Sequence, residues 1–206
     1  MRLIIWRHGQ TEHNAGRIFQ GHLDTQLSAL GQKQVRVAGN ALAAYKPSAI
    51  WSSDLVRAAS TARALADVAD LPITYDARLR EIDVGSWTGL SFDQIKAQDG
   101  DILTATEAGE DVPRGGDGEK LAQVGERSVA AVRELMAELG EDDLAVVATH
   151  GVAARTIVAE LLDMPQKQAW LALVGLHNAH WAELVLHRTG WRLASWNAGA
   201  FDIDEE

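Results

Sequence analysis

The chain has 206 residues, a formal net charge of −10 and no cysteine. This length fits one domain with a substantial core, and the lack of cysteine excludes disulfides, thiolate catalysis and cysteine-based zinc sites. The acidic balance argues against a nucleic-acid partner, because phosphate backbones need a basic surface. A small anionic ligand stays compatible, since charges beyond a Debye length of about 8 Å are largely screened.

Membrane attachment is not expected either. No apolar stretch reaches membrane-spanning length, and the first apolar run starts at Leu3, which leaves no room for a signal peptide. We therefore expect a cytoplasmic protein. The sequence leaves open whether the chain forms a homodimer.

Short apolar runs alternate with amphipathic segments along most of the chain. This alternation predicts an α/β protein, a three-layer αβα sandwich with a mainly parallel sheet. The predicted strands are Arg2–Arg7, Ala49–Ser52, Leu71–Tyr75 and Leu144–Ala148. The predicted helices are Ser28–Tyr45, Asp54–Ala69, Gly118–Leu139 and Val152–Leu162, with Ser28 and Asp54 as N-caps. A closing hairpin is predicted from Ala179–His187 and Trp191–Trp196, turning at Arg188, Thr189 and Gly190.

Residues 84–117 do not fit this alternation. The segment is rich in Gly, Asp, Glu and Thr and predicts only a short helix near Phe92–Ala97. Long segments of this kind in compact domains are commonly functional lids. We expect one domain over residues 1–206 with a lid at about 84–117, whose carboxylates are solvated. The acidic end Asp202–Glu206 is interpreted as a solvated terminus.

Basic and histidine side chains follow three of the predicted strands. Arg7 and His8 follow the first strand, His150 follows the strand from Leu144, and Arg57 falls in the first turn of a helix. Open α/β sheets bind ligands at the carboxyl ends of their strands. If these strands share one parallel sheet, His8 and His150 face each other across one crevice. The pattern therefore predicts a receptor for a compact anion.

These residue types match the needs of phosphoryl transfer, which are a nucleophile, positive charge around the phosphoryl oxygens and an acid for the leaving group. His8 is the expected nucleophile, because a backbone carbonyl can hold one ring nitrogen while Arg7 and Arg57 keep the imidazole neutral. Arg7, Arg57 and His150 are expected to clamp the phosphoryl oxygens. Glu81 is the expected acid, preferred to Asp83, which would point to the other side of a turn.

Together the motifs resemble those of the histidine phosphatase family, which includes the cofactor-dependent phosphoglycerate mutases. They are Arg7–Thr11 with Asn14, Gln20–Gly21, Leu27–Ser28 with Leu30–Gly31, Ser52–Ala58 with Thr61–Ala62, Leu79–Glu81 with Gly85–Gly89, and His150–Gly151. The resemblance implies a phosphoglycerate mutase-like fold, a phosphohistidine on His8 and proton donation by Glu81. It also implies a phosphate pocket formed by Arg7, Asn14, Gln20, Arg57 and His150, without metal or cofactor.

Other segments bear on the substrate. Gln20–Thr25, Asn178–Trp181 and Trp191–Ala198 are similar to family members that act on a phosphoglycerate carrying a sugar. Gly21, His22 and Leu23, together with Gly151 of the His150–Gly151 motif, are expected to bind the substrate. The chain departs from the family at Trp6, where an aliphatic residue is usual, and at Gly115–Glu119, which carries extra residues and predicts a different lid shape.

A phosphatase acting on a small phosphomonoester is the function we favour. A mutase is the first alternative, but it favours extra cations over the pocket, and residues 83–117 carry only Lys96 and Arg114. A non-catalytic phospholigand-binding module is the second alternative. Such a protein could keep the arginines and lose the nucleophile or the acid, whereas this chain has both. His177, His180 and His187 lack a metal-binding spacing, so no metal site is predicted. Trp87, close to Glu81, is predicted to form a pocket wall.

Overall fold

A six-stranded mixed sheet, with strand order β3-β2-β4-β1-β5-β6, forms the centre of the computed structural model, which describes residues 1–200. The strands are β1 (Arg2–Arg7), β2 (Ala49–Ser52), β3 (Ile73–Tyr75), β4 (Leu144–Thr149), β5 (Trp181–His187) and β6 (Gly190–Ala198). β1 to β4 run parallel, and the predicted closing hairpin adds β5 and β6 antiparallel at the edge next to β1. The acidic end Asp202–Glu206 lies outside the described residues.

Helices cover both faces of this sheet. They are α1 (Glu12–Ala15), α2 (Ala29–Ala43), α3 (Val56–Ala69), α4 (Phe92–Glu107), α5 (Leu121–Ala137), α6 (Gly151–Leu161) and α7 (Gln166–Ala172). Side chains alternate between the faces along a strand. In β1, Ile4 and Trp6 pack with α2 and α3, whereas Leu3 and Ile5 pack with α5 and α6. The predicted three-layer sandwich is therefore confirmed.

The segment 84–117, which we call the lid segment, is more ordered than predicted. It contains α4 and two 3₁₀ turns, Gly85–Trp87 and Arg114–Gly116, so the expectation of only a short helix was wrong. Helix α4 is kinked at Asp99, where φ is −134° and ψ is 37°, and this break hides its periodicity. Beneath the segment lies a separate apolar cluster that includes Val84, Ile95 and Leu103.

Trp87 belongs to this cluster and is fully buried, so its predicted place as a pocket wall was wrong. Its indole Nε1 donates to Asp99 Oδ2 at 2.8 Å. Other lid carboxylates also contact the protein rather than standing only in solvent: Asp117 Oδ1 accepts from Ser86 N, and Asp111 Oδ1 accepts from Leu121 N. The first contact joins the two ends of the lid segment, and the second holds the segment to the start of α5.

The extra residues at Gly115–Glu119 pack against the Gly85–Trp87 turn. At Gly118 a Cβ atom would lie 2.4 Å from the Asp83 carbonyl oxygen, so only glycine fits this close approach. The residues by which the chain departs from the family pattern therefore form part of the packing around the Gly85–Trp87 turn.

The two predicted N-caps have different outcomes. Ser28 caps α2 by accepting from Gly31 N, as predicted. Asp54 does not cap α3, because its carboxylate pairs with Arg80 at 2.5 Å. The cap comes from another segment, since Asp24 Oδ1 accepts from Val56 N at 2.7 Å. Helix α7 was not predicted from the sequence.

In residues 1–200 no helix has the length and apolarity that crossing a bilayer requires.

Candidate active site

The carboxyl ends of β1 and β4 bring the two predicted histidines together. The strands are adjacent and parallel, with Arg7 in register with Thr149. His8 and His150 follow directly, and their ring centroids are 5.2 Å apart in an edge-to-face arrangement. The expected crevice between two strand ends is therefore present in the fold.

His8 is 3% exposed and lines a cavity at this edge of the sheet. Its Nδ1 lies 2.7 Å from the carbonyl oxygen of Gly9, as expected from the sequence. Burial, and then the positive charges of Arg57 and Arg7, hold the pKa of His8 well below its ordinary value of 6.5. A neutral ring whose Nδ1–H donates to a carbonyl carries its lone pair on Nε2.

His150 is fully buried beside His8. Its Nε2 lies 2.8 Å from Ser53 Oγ, and its Nδ1 is buried without a hydrogen-bond partner among the described residues. Burial, and then the positive charge of Arg57, hold the pKa of His150 well below 6.5. Both histidines are therefore neutral at neutral pH.

Arg57 is fixed by backbone carbonyls. It is 1% exposed, and its two terminal nitrogens donate to the carbonyls of Leu23 at 2.7 Å and Gly21 at 2.9 Å. Burial lowers the pKa of Arg57 to about 10, so the group stays cationic at neutral pH. Arg7, on the same cavity wall, donates through Nη1 to the carbonyl of Leu176.

Glu81 lies at the N-terminus of α6. Its carboxylate accepts from the backbone N–H groups of Ala153 at 3.0 Å and Val152 at 3.2 Å. Gly151 lies between Glu81 and Arg7. A Cβ atom on this glycine would lie 3.5 Å from Arg7 Nε and 3.7 Å from Glu81 Oε2. Asp83, in contrast, accepts from Gly85 N at 2.9 Å and does not line the cavity.

The other predicted site residues fall into two groups. Asn14, Gln20 and Gly21 line the cavity. His22 and Leu23 do not line it: His22 Nε2 lies 2.8 Å from the Glu81 carbonyl oxygen, and Leu23 contributes the carbonyl that Arg57 binds. His22 therefore contacts the backbone of Glu81, and Leu23 contacts the side chain of Arg57, and both Glu81 and Arg57 line the cavity.

The cavity has a volume of about 550 Å³, large enough for a ligand with a body beyond the phosphate. One end, which we call the phosphate end because the sequence predicts phosphate binding there, is formed by Arg7, His8, Arg57 and Glu81, with His150 behind His8. The opposite, lid end is lined by Arg17, Phe92, Leu103, Arg114 and Trp170. Sequence reasoning missed these lid-end residues, because no motif marks them and α7, which carries Trp170, has no recognisable periodicity. Across residues 1–200, no group of three or more His, Asp or Glu side chains could hold a metal ion.

Residues 3–199 match the histidine phosphatase superfamily, branch 1. The chain therefore belongs to this superfamily. It is 38% identical to glucosyl-3-phosphoglycerate phosphatase of Mycolicibacterium vanbaalenii, with 97% of this chain and 95% of the relative covered. It is 39% identical to the enzyme of the same name from Mycobacterium tuberculosis, over 97% of this chain and 95% of that one.

Solved structures agree with the fold. A structure of mycobacterial glucosyl-3-phosphoglycerate phosphatase in complex with VO3 has a TM-score of 0.90 and 38% identity, over 96% of this chain and 99% of that one. A probable phosphoglycerate mutase of Salmonella arizonae is 29% identical over 95% of this chain and 90% of the relative. The expectation of a phosphatase of phosphomonoesters on a phosphoglycerate mutase-like fold is confirmed.

Proposed function

We propose that the protein hydrolyses its phosphomonoester in two steps, through a phosphohistidine on His8. The observation that carries this proposal is the state of His8. Burial and two arginines keep the ring neutral, and the Gly9 carbonyl holds Nδ1, so the Nε2 lone pair is available to a phosphorus atom in the cavity.

In the first step, His8 Nε2 forms a bond to phosphorus while the bond from phosphorus to the ester oxygen breaks. Arg7 and Arg57 bind the phosphoryl oxygens and offset their negative charge, and His150, which packs against His8, is proposed to donate a neutral N–H to one of them. Glu81, in its protonated form, donates a proton to the departing oxygen. Its position is set by the N–H groups at the start of α6, close to Arg7.

In the second step, water attacks the phosphohistidine and the nitrogen–phosphorus bond breaks. Glu81, now ionised, accepts a proton from this water, so that both residues return to their starting state. Asn14 and Gln20 lie on the cavity wall and are proposed as further contacts of the phosphoryl group, with the backbone at Gly21 and Gly151 closing the pocket. His22 and Leu23 are proposed to act indirectly, through Glu81 and Arg57.

Glucosyl-3-phosphoglycerate is the substrate we propose. Two mycobacterial relatives carry this name at 38% and 39% identity, over nearly the whole chain. A cavity of about 550 Å³ can also hold a body larger than glycerate. We further propose that the enzyme needs no metal ion, since Arg7 and Arg57 supply positive charge at the phosphoryl group. A cytoplasmic location stays a prediction.

The test follows free phosphate and 2-phosphoglycerate together. The enzyme is incubated with glucosyl-3-phosphoglycerate and, separately, with 3-phosphoglycerate with or without 2,3-bisphosphoglycerate. We expect phosphate release, fastest from the glucosylated compound. Rapid interconversion of the phosphoglycerates with little phosphate released would show a mutase instead. Binding of the compounds without any turnover would show a binding module.

A further inference from the structure

The lid end of the cavity holds a buried guanidinium with an unused donor. Arg114 is 3% exposed and lines the cavity. Its Nη1 donates to Thr106 Oγ1 at 3.2 Å and to the Val112 carbonyl at 3.0 Å, whereas Nη2 is buried with no hydrogen-bond partner among the described residues. Leaving a charged donor buried and unpaired is costly. Because Arg114 lines the cavity, a ligand bound there can supply an acceptor to its guanidinium.

The protein offsets the charge of Arg114 only in part. Its guanidinium carbon lies 5.4 Å from the ring centre of Trp170. The carboxylate of Asp111 is a nearby negative charge that favours the cationic form, but no hydrogen bond joins the two side chains in residues 1–200. The ring holds the guanidinium in place without removing its charge. Although burial lowers the pKa of Arg114 to about 10, the side chain stays cationic at neutral pH.

We propose that Arg114 binds a carboxylate of the substrate at the lid end of the cavity while the phosphoryl group lies at His8. This inference rests on the proposed function and narrows its substrate class to phosphomonoesters that also carry a carboxylate. A guanidinium matches the planar geometry of a carboxylate. A second phosphate fits less well, because it brings about 1.5 to 2 negative charges next to Glu107, which lines the same cavity.

The test compares 3-phosphoglycerate with glycerol 3-phosphate, which carries a hydroxymethyl group in place of the carboxylate. Arg114→Gln should raise KM for 3-phosphoglycerate about 10- to 100-fold, with kcat/KM for glycerol 3-phosphate changing less than about threefold. Lys96→Gln is the matched control, since Lys96 is the other lid cation, is exposed and does not line the cavity. It should leave both substrates unchanged.

A measurement on the wild-type enzyme removes any dependence on the folding of a variant. Glycerate should inhibit hydrolysis of p-nitrophenyl phosphate competitively, and glycerol should not. Equal losses on both substrates in Arg114→Gln, or equal inhibition by glycerate and glycerol, would overturn the carboxylate site. If the wild type hydrolyses none of these phosphates, the proposed function fails instead, so the two failures are distinguishable.

A second inference concerns Ser53, which contacts His150 from behind. Ser53 is fully buried, and its Oγ accepts from Leu55 N at 3.3 Å and lies 2.8 Å from His150 Nε2. Among the described residues, His150 Nε2 is the acceptor within reach of the Ser53 hydroxyl. The hydroxyl proton is therefore donated to Nε2, and the single proton of the neutral ring is on Nδ1.

We infer that Ser53 is a positioning residue that fixes the tautomer of His150, so that Nδ1–H is the donor offered to a phosphoryl oxygen. Nδ1 is the atom of His150 that is buried without a partner, and the ring packs edge-to-face with His8. Without the Ser53 hydroxyl, the proton can move to Nε2, which leaves a lone pair facing the phosphoryl oxygens.

The test combines kinetics with ¹⁵N NMR of the His150 ring. The wild type should show the Nδ1–H tautomer, and Ser53→Ala should lose it with a fall in kcat of about 10- to 100-fold, as expected for one misdirected donor. Ser52→Ala is the matched control, because Ser52 is equally buried but donates to the Ser53 carbonyl. An Nε2–H tautomer in the wild type, or equal losses in the two variants, would overturn the inference.

Discussion

The two ends of the cavity are built in different ways. At the phosphate end, His8 and His150 follow β1 and β4, and Arg57 lies in the first turn of α3. Backbone groups hold the side chains: the Gly9 carbonyl holds His8, and the N–H groups at the start of α6 hold Glu81, which lies in a loop. At the lid end, Arg114 is held by one hydroxyl, one carbonyl and the ring of Trp170. From this difference we expect the chemistry to depend on the sheet and the choice of substrate to depend on how the lid segment packs.

The largest expected effect comes from removing His8, the proposed nucleophile. His8→Asn should abolish turnover, and enzyme quenched in alkali, in which phosphohistidine is stable, should hold no label from ³²P-labelled substrate. The other neutral imidazole at this end, His150, does not line the cavity and holds Nε2 at 2.8 Å from Ser53 Oγ. His13→Asn is the control, since His13 lines the same cavity. It should still form the labelled phosphoenzyme. Label retained by His8→Asn would assign the nucleophile elsewhere.

Glu81→Gln should have the next largest effect. A general acid contributes about 10²- to 10⁴-fold, and less when the leaving group departs without a proton. The loss in kcat should therefore be large on an alkyl phosphate and small on p-nitrophenyl phosphate. Glu107→Gln, at the lid end of the same cavity, should affect both substrates alike. Equal losses of Glu81→Gln on both substrates would contradict its role as the proton donor.

The phosphate end should also control how stability depends on pH. The folded chain holds the pKa values of His8 and His150 well below 6.5, so the unfolded chain binds more protons as the pH falls below that value. The free energy of unfolding, measured in urea, should decrease from pH 7.5 to pH 5.5. In His150→Gln this slope should be smaller, and an unchanged slope would show that other groups cause it.

The smallest expected effect is that of a chelator. Dialysis against EDTA should leave kcat and KM unchanged, because cationic side chains surround the phosphoryl position, while vanadate should inhibit by occupying it. Activity lost in EDTA and restored by magnesium would show that the phosphate end is incomplete without a metal.

The same contrast explains what could be predicted from the sequence. The sequence correctly predicted that His8 and His150 lie close together. The apolar runs mark where the two strands end, and parallel pairing puts these ends at the same edge of the sheet. The partner of Asp54 could not be predicted, since Arg80 and the capping Asp24 come from distant segments. Trp87 and Trp170 look alike in sequence, and only tertiary packing puts one in the core and the other on the cavity wall.

Asp24 and Arg57 also join two segments that are distant in sequence. The loop at 21–24 caps α3 through Asp24 and receives the guanidinium of Arg57 through the carbonyls of Gly21 and Leu23. Immobilising a free arginine side chain costs up to about 2 kcal/mol of rotamer entropy. Since folding has already fixed Arg57, a substrate that this arginine binds as proposed does not bear this entropic penalty, and part of its affinity is established before it arrives.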